Sequence, residues 1–186
     1  TANPVFNATH ARRDSLVREV MTVLAASAFI ALCAQIQAPG PIPFTMQTFA
    51  VLLIAGAMGR VRATAALTAY LLEGAAGLPV FAQGSAGFAY FAGPTAGYLM
   101  GFVAAAFLIG WMAERTRARG FVSLSILYVI GHAVIFAFGF AWLAAFWGSE
   151  AAWAAGVLPF IVTGVLKSGL AAVATPAARR IVGRGQ

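Results

Sequence analysis

Lys167 is the only lysine of this chain, and it stands inside the apolar run Trp153 to Thr175, WAAGVLPFIVTGVLKSGLAAVAT. Without it the run is an ordinary membrane-crossing segment, since a helix needs roughly 20 apolar residues to span a bilayer. A charge at that depth costs at least about 3 kcal/mol on insertion scales, and such residues face a bundle interior or a cavity. One reading is that Lys167 faces a cavity and meets an anionic or strongly polar ligand. The other is that it snorkels along its own stem to the cytoplasmic headgroups. Arg179 lies about 12 residues further on, or about 18 Å of helix, which is a long reach for snorkelling.

Other residues invite enzyme chemistry and do not complete it. Gly84-Ser85-Ala86-Gly87 with His132 resembles an intramembrane serine protease, but a Gly-x-Ser-Gly motif would need glycine where Gln83 and Ala86 stand. His132 sits beside Gly131 in a span, where packing and a hydrogen-bonded imidazole account for it. Lys167-Ser168 superficially matches the end of a phosphate-binding loop, but Leu166 and Val162 occupy the places of its glycines. The chain therefore cannot hydrolyse ATP by this route. His10 and Glu73 have no clear co-ligands for a metal. Cys33, the one cysteine, excludes an internal disulfide and a multi-cysteine site and reads as a small core residue. We expect neither an enzyme nor a resident cofactor or metal.

The elements that position Lys167 follow from composition. Of 186 residues, 61% are hydrophobic and only 9% charged, with mean hydropathy +0.87. A soluble domain carries about 25% charged residues. This is a polytopic membrane protein in one domain, in contact with lipid. The net charge of +7 does not point to nucleic acid, because the arginines cluster at segment ends.

We expect an all-α membrane protein. Residues 1–14 form a polar tail without the apolar core of a signal peptide. A single six-helix transmembrane domain covers 15–180, and 181–186 form a second tail. Spans are expected at 15–37, 44–59, 61–80, 94–113, 121–147 and 153–178. The run APGPIP (38–43), with three prolines, must break the chain between the first two. Arginines occur before the first span, between the second and third, between the fourth and fifth, and after the sixth. That alternation satisfies the positive-inside rule at every connection and predicts both termini in the cytoplasm. Trp142, Trp147 and Trp153 flank the outer turn between the last two spans, as an aromatic belt would.

The segment FAQGSAGFAYFAG (81–93) is as apolar as a span but rich in glycine. Irregular backbone at membrane depth is tolerated where it is buried in protein or lines a cavity. A cap over an outward-facing cavity and an ordinary interfacial loop are the two readings. Ser27 and Ala31, with Ala28 and Ala34 near the same face, would let another helix approach closely, either within the bundle or from a partner.

Four stretches carry a family resemblance. Pro43-Phe44-Thr45-Met46-Gln47-Thr48-Phe49, Gly74-Ala75-Ala76-Gly77-Leu78-Pro79-Val80-Phe81-Ala82, Gly93-Pro94-Thr95-Ala96-Gly97-Tyr98-Leu99-Met100-Gly101-Phe102 and Leu158-Pro159-Phe160-Ile161 occur in order. Together they resemble the BioY family, the biotin-specific S components of energy-coupling factor (ECF) transporters, over residues 20 to 175. The resemblance implies a six-helix ECF S-component-like bundle in the bacterial cytoplasmic (inner) membrane, taking up biotin. It implies a biotin pocket near the outer face and a cap from the loop between the third and fourth helices. It also implies docking to a coupling subunit that carries two ATPases, through small residues on the first helix in the region of Ser27 and Ala31. Some members occur without dedicated coupling subunits, so the chain could also act alone or as a homo-oligomer. A non-transporting membrane scaffold, or an S component for another vitamin, is the alternative.

Biotin suits the residues on offer. Gln47, Thr45 and Thr48 can supply polar contacts to its urea, and Phe88, Tyr90 and Tyr98 can supply walls, the tyrosines with a hydroxyl besides. Lys167 is the cation deep in the bundle for a polar end. One departure matters. The family commonly reads Pro-Phe-x-Pro-Gly-Asp-x-x-Lys at the last helix, and here Val162, Thr163 and Gly164 replace Pro, Gly and Asp. Lys167 loses the acidic neighbour on its own helix face, and Glu73 is the expected substitute partner.

Overall fold

The computed structural model describes residues 4–38, 40, 42–116 and 118–183, with side chains from Ser15 onward. Pro39, Pro41, Arg117 and Arg184, and the side chains of Arg12 and Arg13, lie outside what it describes, although each enters the sequence argument. The chain is helical almost throughout: α1 (Pro4–Gln35), α2 (Gln47–Ala75), α3 (Ala96–Thr116), α4 (Phe121–Trp147), α5 (Ser149–Gly156) and α6 (Phe160–Gly183). Among the described residues five helices are long and apolar enough to cross a membrane.

The proline-rich run does break the chain, in the form of a small hairpin. Strand β1 (Gln37–Ala38) pairs antiparallel with β2 (Phe44–Thr45), and the Met46 amide donates to the Ile36 carbonyl at 3.0 Å. The spans expected to end at 37 and begin at 44 therefore stop at Gln35 and start at Gln47.

Helix α2 is assigned as one element but is bent back on itself at Gly59. There φ is 77° and ψ is 176°, a region open essentially to glycine alone. The consequence shows in one hydrogen bond. Gln47 Nε2 donates to the Tyr70 hydroxyl at 2.7 Å, although a straight helix would hold them about 35 Å apart. The two limbs thus run antiparallel, as expected for the second and third spans. Glu114 at the end of α3 stabilises the break, accepting from the Arg60 amide at 2.8 Å. An acidic group at an opening helix turn satisfies a free N–H and the local dipole.

The other departures have equally local causes. The sixth span was expected to start at 153, but Pro159 has no N–H and disfavours helix before it. The chain instead makes the short α5, turns at 157–159, and restarts as α6 at Phe160. The third span ends at Ala75 rather than 80, where Gly77 takes φ 102°. Helix α4 runs Phe121–Trp147, as the sequence predicts.

Helix α2 packs against α1, α3 and α6, and α4 packs against α3, α5 and α6. The α3–α4 seam is close because Gly97 and Gly101 face it. A Cβ on Gly97 would meet the Trp142 Cβ at 2.3 Å, and one on Gly101 the Ile135 Cα at 3.1 Å. Small residues four apart permit this approach.

The arginine-bearing turns meet at one end of the bundle. Arg62 forms a two-pronged pair with Glu19 of α1. Arg60 pairs with Glu114 at 3.5 Å. Arg179 donates to the Gly56 and Ala118 carbonyls at 3.0 and 2.8 Å. At the other end Gln35 holds the 81–93 segment, donating to the Phe81 carbonyl at 2.9 Å and accepting from the Gly84 amide at 3.1 Å. Trp142, expected in the aromatic belt, donates to the Gly93 carbonyl at 3.0 Å. Trp147 and Trp153 are exposed.

Candidate functional site

Between the β1–β2 hairpin, α2, α3, α4, α6 and the 81–93 segment lies a cavity of about 50 Å3, smaller than the roughly 300–1,000 Å3 of small-molecule sites. Each wall has a local reason. The hairpin turns Ile42 and Thr45 inward, and the first turn of α2 adds Gln47 and Thr48. Helix α3 adds Tyr98, Leu99 and Phe102, and α6 adds Phe160, Thr163, Gly164 and Lys167. His132 and Phe136 complete it from α4.

The aromatic side of the cavity is continuous. Phe44 stacks on Phe160 at 4.2 Å, Phe160 meets Phe136 at 6.5 Å, and Phe136 meets His132 at 5.6 Å. The 81–93 segment covers it as irregular backbone with two short helical turns. That segment is held by Phe81, which is fully buried, stacks on Tyr90 at 4.7 Å and abuts Tyr70 at 5.5 Å. Ala82 and Tyr90 of the segment line the cavity, which fits the cap rather than the interfacial loop.

Lys167 Nζ donates to the Thr45 carbonyl at 2.7 Å. It lines the cavity and does not reach along its own helix to the headgroups. Around it runs a polar chain fixed by secondary structure. Thr45 Oγ1 donates to Gln47 Oε1 at 2.8 Å, Gln47 Nε2 to the Tyr70 hydroxyl, and Tyr70 to the Val80 carbonyl at 3.1 Å. The Tyr98 hydroxyl donates to the Gly156 carbonyl at 2.6 Å, so its ring faces the cavity while its polar tip is engaged elsewhere.

Three of the lining residues carry a buried polar atom with no partner among the described residues: Thr48 Oγ1, Thr95 Oγ1 and His132 Nε2. Buried polar atoms are overwhelmingly hydrogen-bonded, and leaving one unpaired costs about 1–3 kcal/mol. Three such residues around one cavity suit a ligand with several donors and acceptors.

Of the residues singled out in the sequence, the structure brings Lys167, Gln47, Thr45, Thr48, Tyr90 and Tyr98 to this cavity. Phe88 is not on it. It is 79% exposed on the outside of the 81–93 segment, because its neighbours Phe81 and Tyr90 take the inward positions. Glu73 is not on it either. It accepts from Ser27 Oγ of α1, so it does not stand as the substitute partner of Lys167. The same bond corrects Ser27, which is fully buried and serves the α1–α2 contact rather than a free surface. Ala31 is partly exposed. The lining residues not foreseen are Thr95, read as structural, and His132, read as packing. Their types were visible in the sequence, but which polar groups end unpaired is decided only by tertiary contacts.

The BioY family model matches residues 6–184. A protein named biotin transporter BioY from Thermotoga maritima is 40% identical over 112 residues, 56% of this chain and 66% of that protein. A probable biotin transporter BioY from Pyrococcus horikoshii is 38% identical over 157 residues, 84% of this chain and 93% of that protein. A crystal structure of the S-component for biotin from an ECF-type ABC transporter superposes with a TM-score of 0.78 at 24% identity, covering 92% of this chain and 93% of that one. It shows the same fold. A match along almost the whole length, on a chain whose cavity is walled by all four of its motifs, places this protein in the BioY family.

Proposed function

We propose that this chain binds biotin in the cavity around Lys167 and serves its uptake across the cytoplasmic membrane. The observation that carries the reading is the joint presence, around one aromatic-walled cavity, of Lys167 and three residues whose buried polar atoms lack a partner among the described residues, Thr48, Thr95 and His132. Biotin has a urea for donors and acceptors, a thiophane ring and aliphatic chain for apolar walls, and a carboxylate. Gln47, Thr45, Thr48 and Lys167 supply polar contacts, and Tyr90 and Tyr98 supply walls. The relatives' names support biotin over another vitamin.

The bundle makes six crossings in this reading, with the two limbs of α2 counted separately. The arginine-bearing end and both termini are cytoplasmic, and the cavity opens toward the outer side under the 81–93 cap. The chain has no phosphate-binding loop. Energised transport therefore requires an ECF coupling subunit with two ATPases, docked on the small-residue face of α1 at Ala28 and Ala31; the chain alone or a homo-oligomer would serve passive uptake. Equilibrium binding of biotin to the purified protein tests the reading. A folded protein that bound no biotin would favour a scaffold role instead.

A further inference from the structure

Position 164 is glycine, and the structure shows what occupies the space beside it. A Cβ built on Gly164 would meet the His132 ring at 3.2 Å and the Phe136 ring at 3.3 Å. The imidazole of α4 thus lies over the bare backbone of α6, one turn before Lys167. His132 is 4% exposed.

Its tautomer depends on where Ser168 places its single hydroxyl proton, with the Gly164 carbonyl and His132 Nδ1 both 2.9 Å from Oγ. With that proton on the carbonyl, Nδ1–H donates to Ser168 Oγ. A neutral imidazole has one N–H, so in this tautomer Nε2 presents a bare lone pair. That atom is buried and without a partner among the described residues, on a side chain that lines the cavity. Lys167 and the threonine hydroxyls supply protons to the cavity; His132 Nε2 can only accept one.

We propose that His132 is a ligand-contacting, specificity-determining residue: held with Nδ1–H on Ser168, its Nε2 accepts a hydrogen bond from a urea N–H of the bound ligand. The inference rests on the biotin reading above. An ionised carboxylate on the ligand has no proton to give, so the acceptor selects the urea end. Ser168 acts through His132 as a positioning residue that fixes the tautomer.

The test is biotin binding to the full-length purified protein and its His132→Gln, His132→Phe, Ser168→Ala and His132→Ala/Gly164→Asp variants, each also titrated with a biotin methylated on its urea nitrogens. An unpaired donor or acceptor in a buried site corresponds to about a 5- to 150-fold loss. We expect His132→Phe to lose at least about 10-fold and to discriminate little between biotin and the methylated analogue. His132→Gln, which keeps an acceptor near the Nε2 position, should retain most of the affinity and the discrimination. Ser168→Ala should fall between. The double variant should recover binding relative to His132→Ala, because the carboxylate enters the vacated space. Unchanged affinity and unchanged discrimination in folded His132→Phe would overturn the assignment. So would equal binding of biotin and its methylated analogue by the unmodified protein, a measurement that requires no variant to fold. Absence of any biotin binding by the folded unmodified protein would instead remove the biotin reading itself, and this inference with it.

Discussion

Lys167 Nζ donates to the backbone carbonyl of Thr45 at 2.7 Å, joining α6 to the hairpin that precedes α2. An ammonium has three donors, and the backbone bond fixes one of them while the group still borders the cavity. The hydroxyl of the same residue, Thr45, begins the Thr45–Gln47–Tyr70 chain of hydrogen bonds. Arginine cannot substitute. Its planar, wider guanidinium does not fit a site shaped for a compact ammonium. Lys167→Arg is expected to weaken biotin binding at least about tenfold with charge retained, measured by isothermal titration; wild-type affinity would show that charge alone suffices.

Gly59 carries the reversal of α2. Alanine there would hold a backbone region costing about 1–3 kcal/mol, and its Cβ would sit 2.5 Å from Glu114 Oε1. Gly59→Ala is expected to lower the unfolding temperature by several degrees, given about 2–4 °C per kcal/mol for a chain of this size. Gly183→Ala, with nothing within 4 Å of the added Cβ, is the control and should change it little. Thermal unfolding in detergent, followed by the monodisperse fraction, reads both.

Glu73 is occupied by Ser27, away from the cavity lining. Glu73→Gln is expected to leave biotin affinity within about threefold of wild type while lowering thermal stability, since it weakens a partly buried charge-assisted bond between α1 and α2. Exchanging the charges, Glu73→Lys with Lys167→Glu, is expected not to rescue binding. Rescue in a binding assay would return Glu73 to the role of counter-charge.

The convergence of Arg60, Arg62, Arg179 and the α3 terminus at one end predicts which face meets the cytoplasm. In a Cys33→Ala background, a cysteine at Ser149 should react with a membrane-impermeant maleimide added outside intact cells. A cysteine at Thr116 should react only after the membrane is opened. The reverse pattern would invert the proposed orientation.

Much of this was legible in the sequence, for physical reasons that also mark its limits. A lysine or glutamine in an apolar run is expensive unless it faces protein or a cavity, so Lys167, Gln47, Thr45 and Thr48 announced themselves. The alternation of arginines revealed the turn at Gly59, which hydropathy alone joins to its neighbours as one long helix. Phe88 and Tyr90 could not be told apart, because aromatic residues two apart in irregular backbone have no periodicity to assign them a side. Glu73 looked like a counter-charge because sequence shows depth but not helix rotation. The cavity roles of His132 and Thr95 depend on the neighbours their polar atoms lack, a property of the assembled bundle.

The most direct measurement is equilibrium binding of biotin to the purified, detergent-solubilised chain beside its Lys167→Ala variant. Saturable, tight binding by the intact protein, weakened at least about tenfold in the variant, is the expected result. A folded, monodisperse chain that binds no biotin, or binds it equally well without Lys167, would contradict the site as built here.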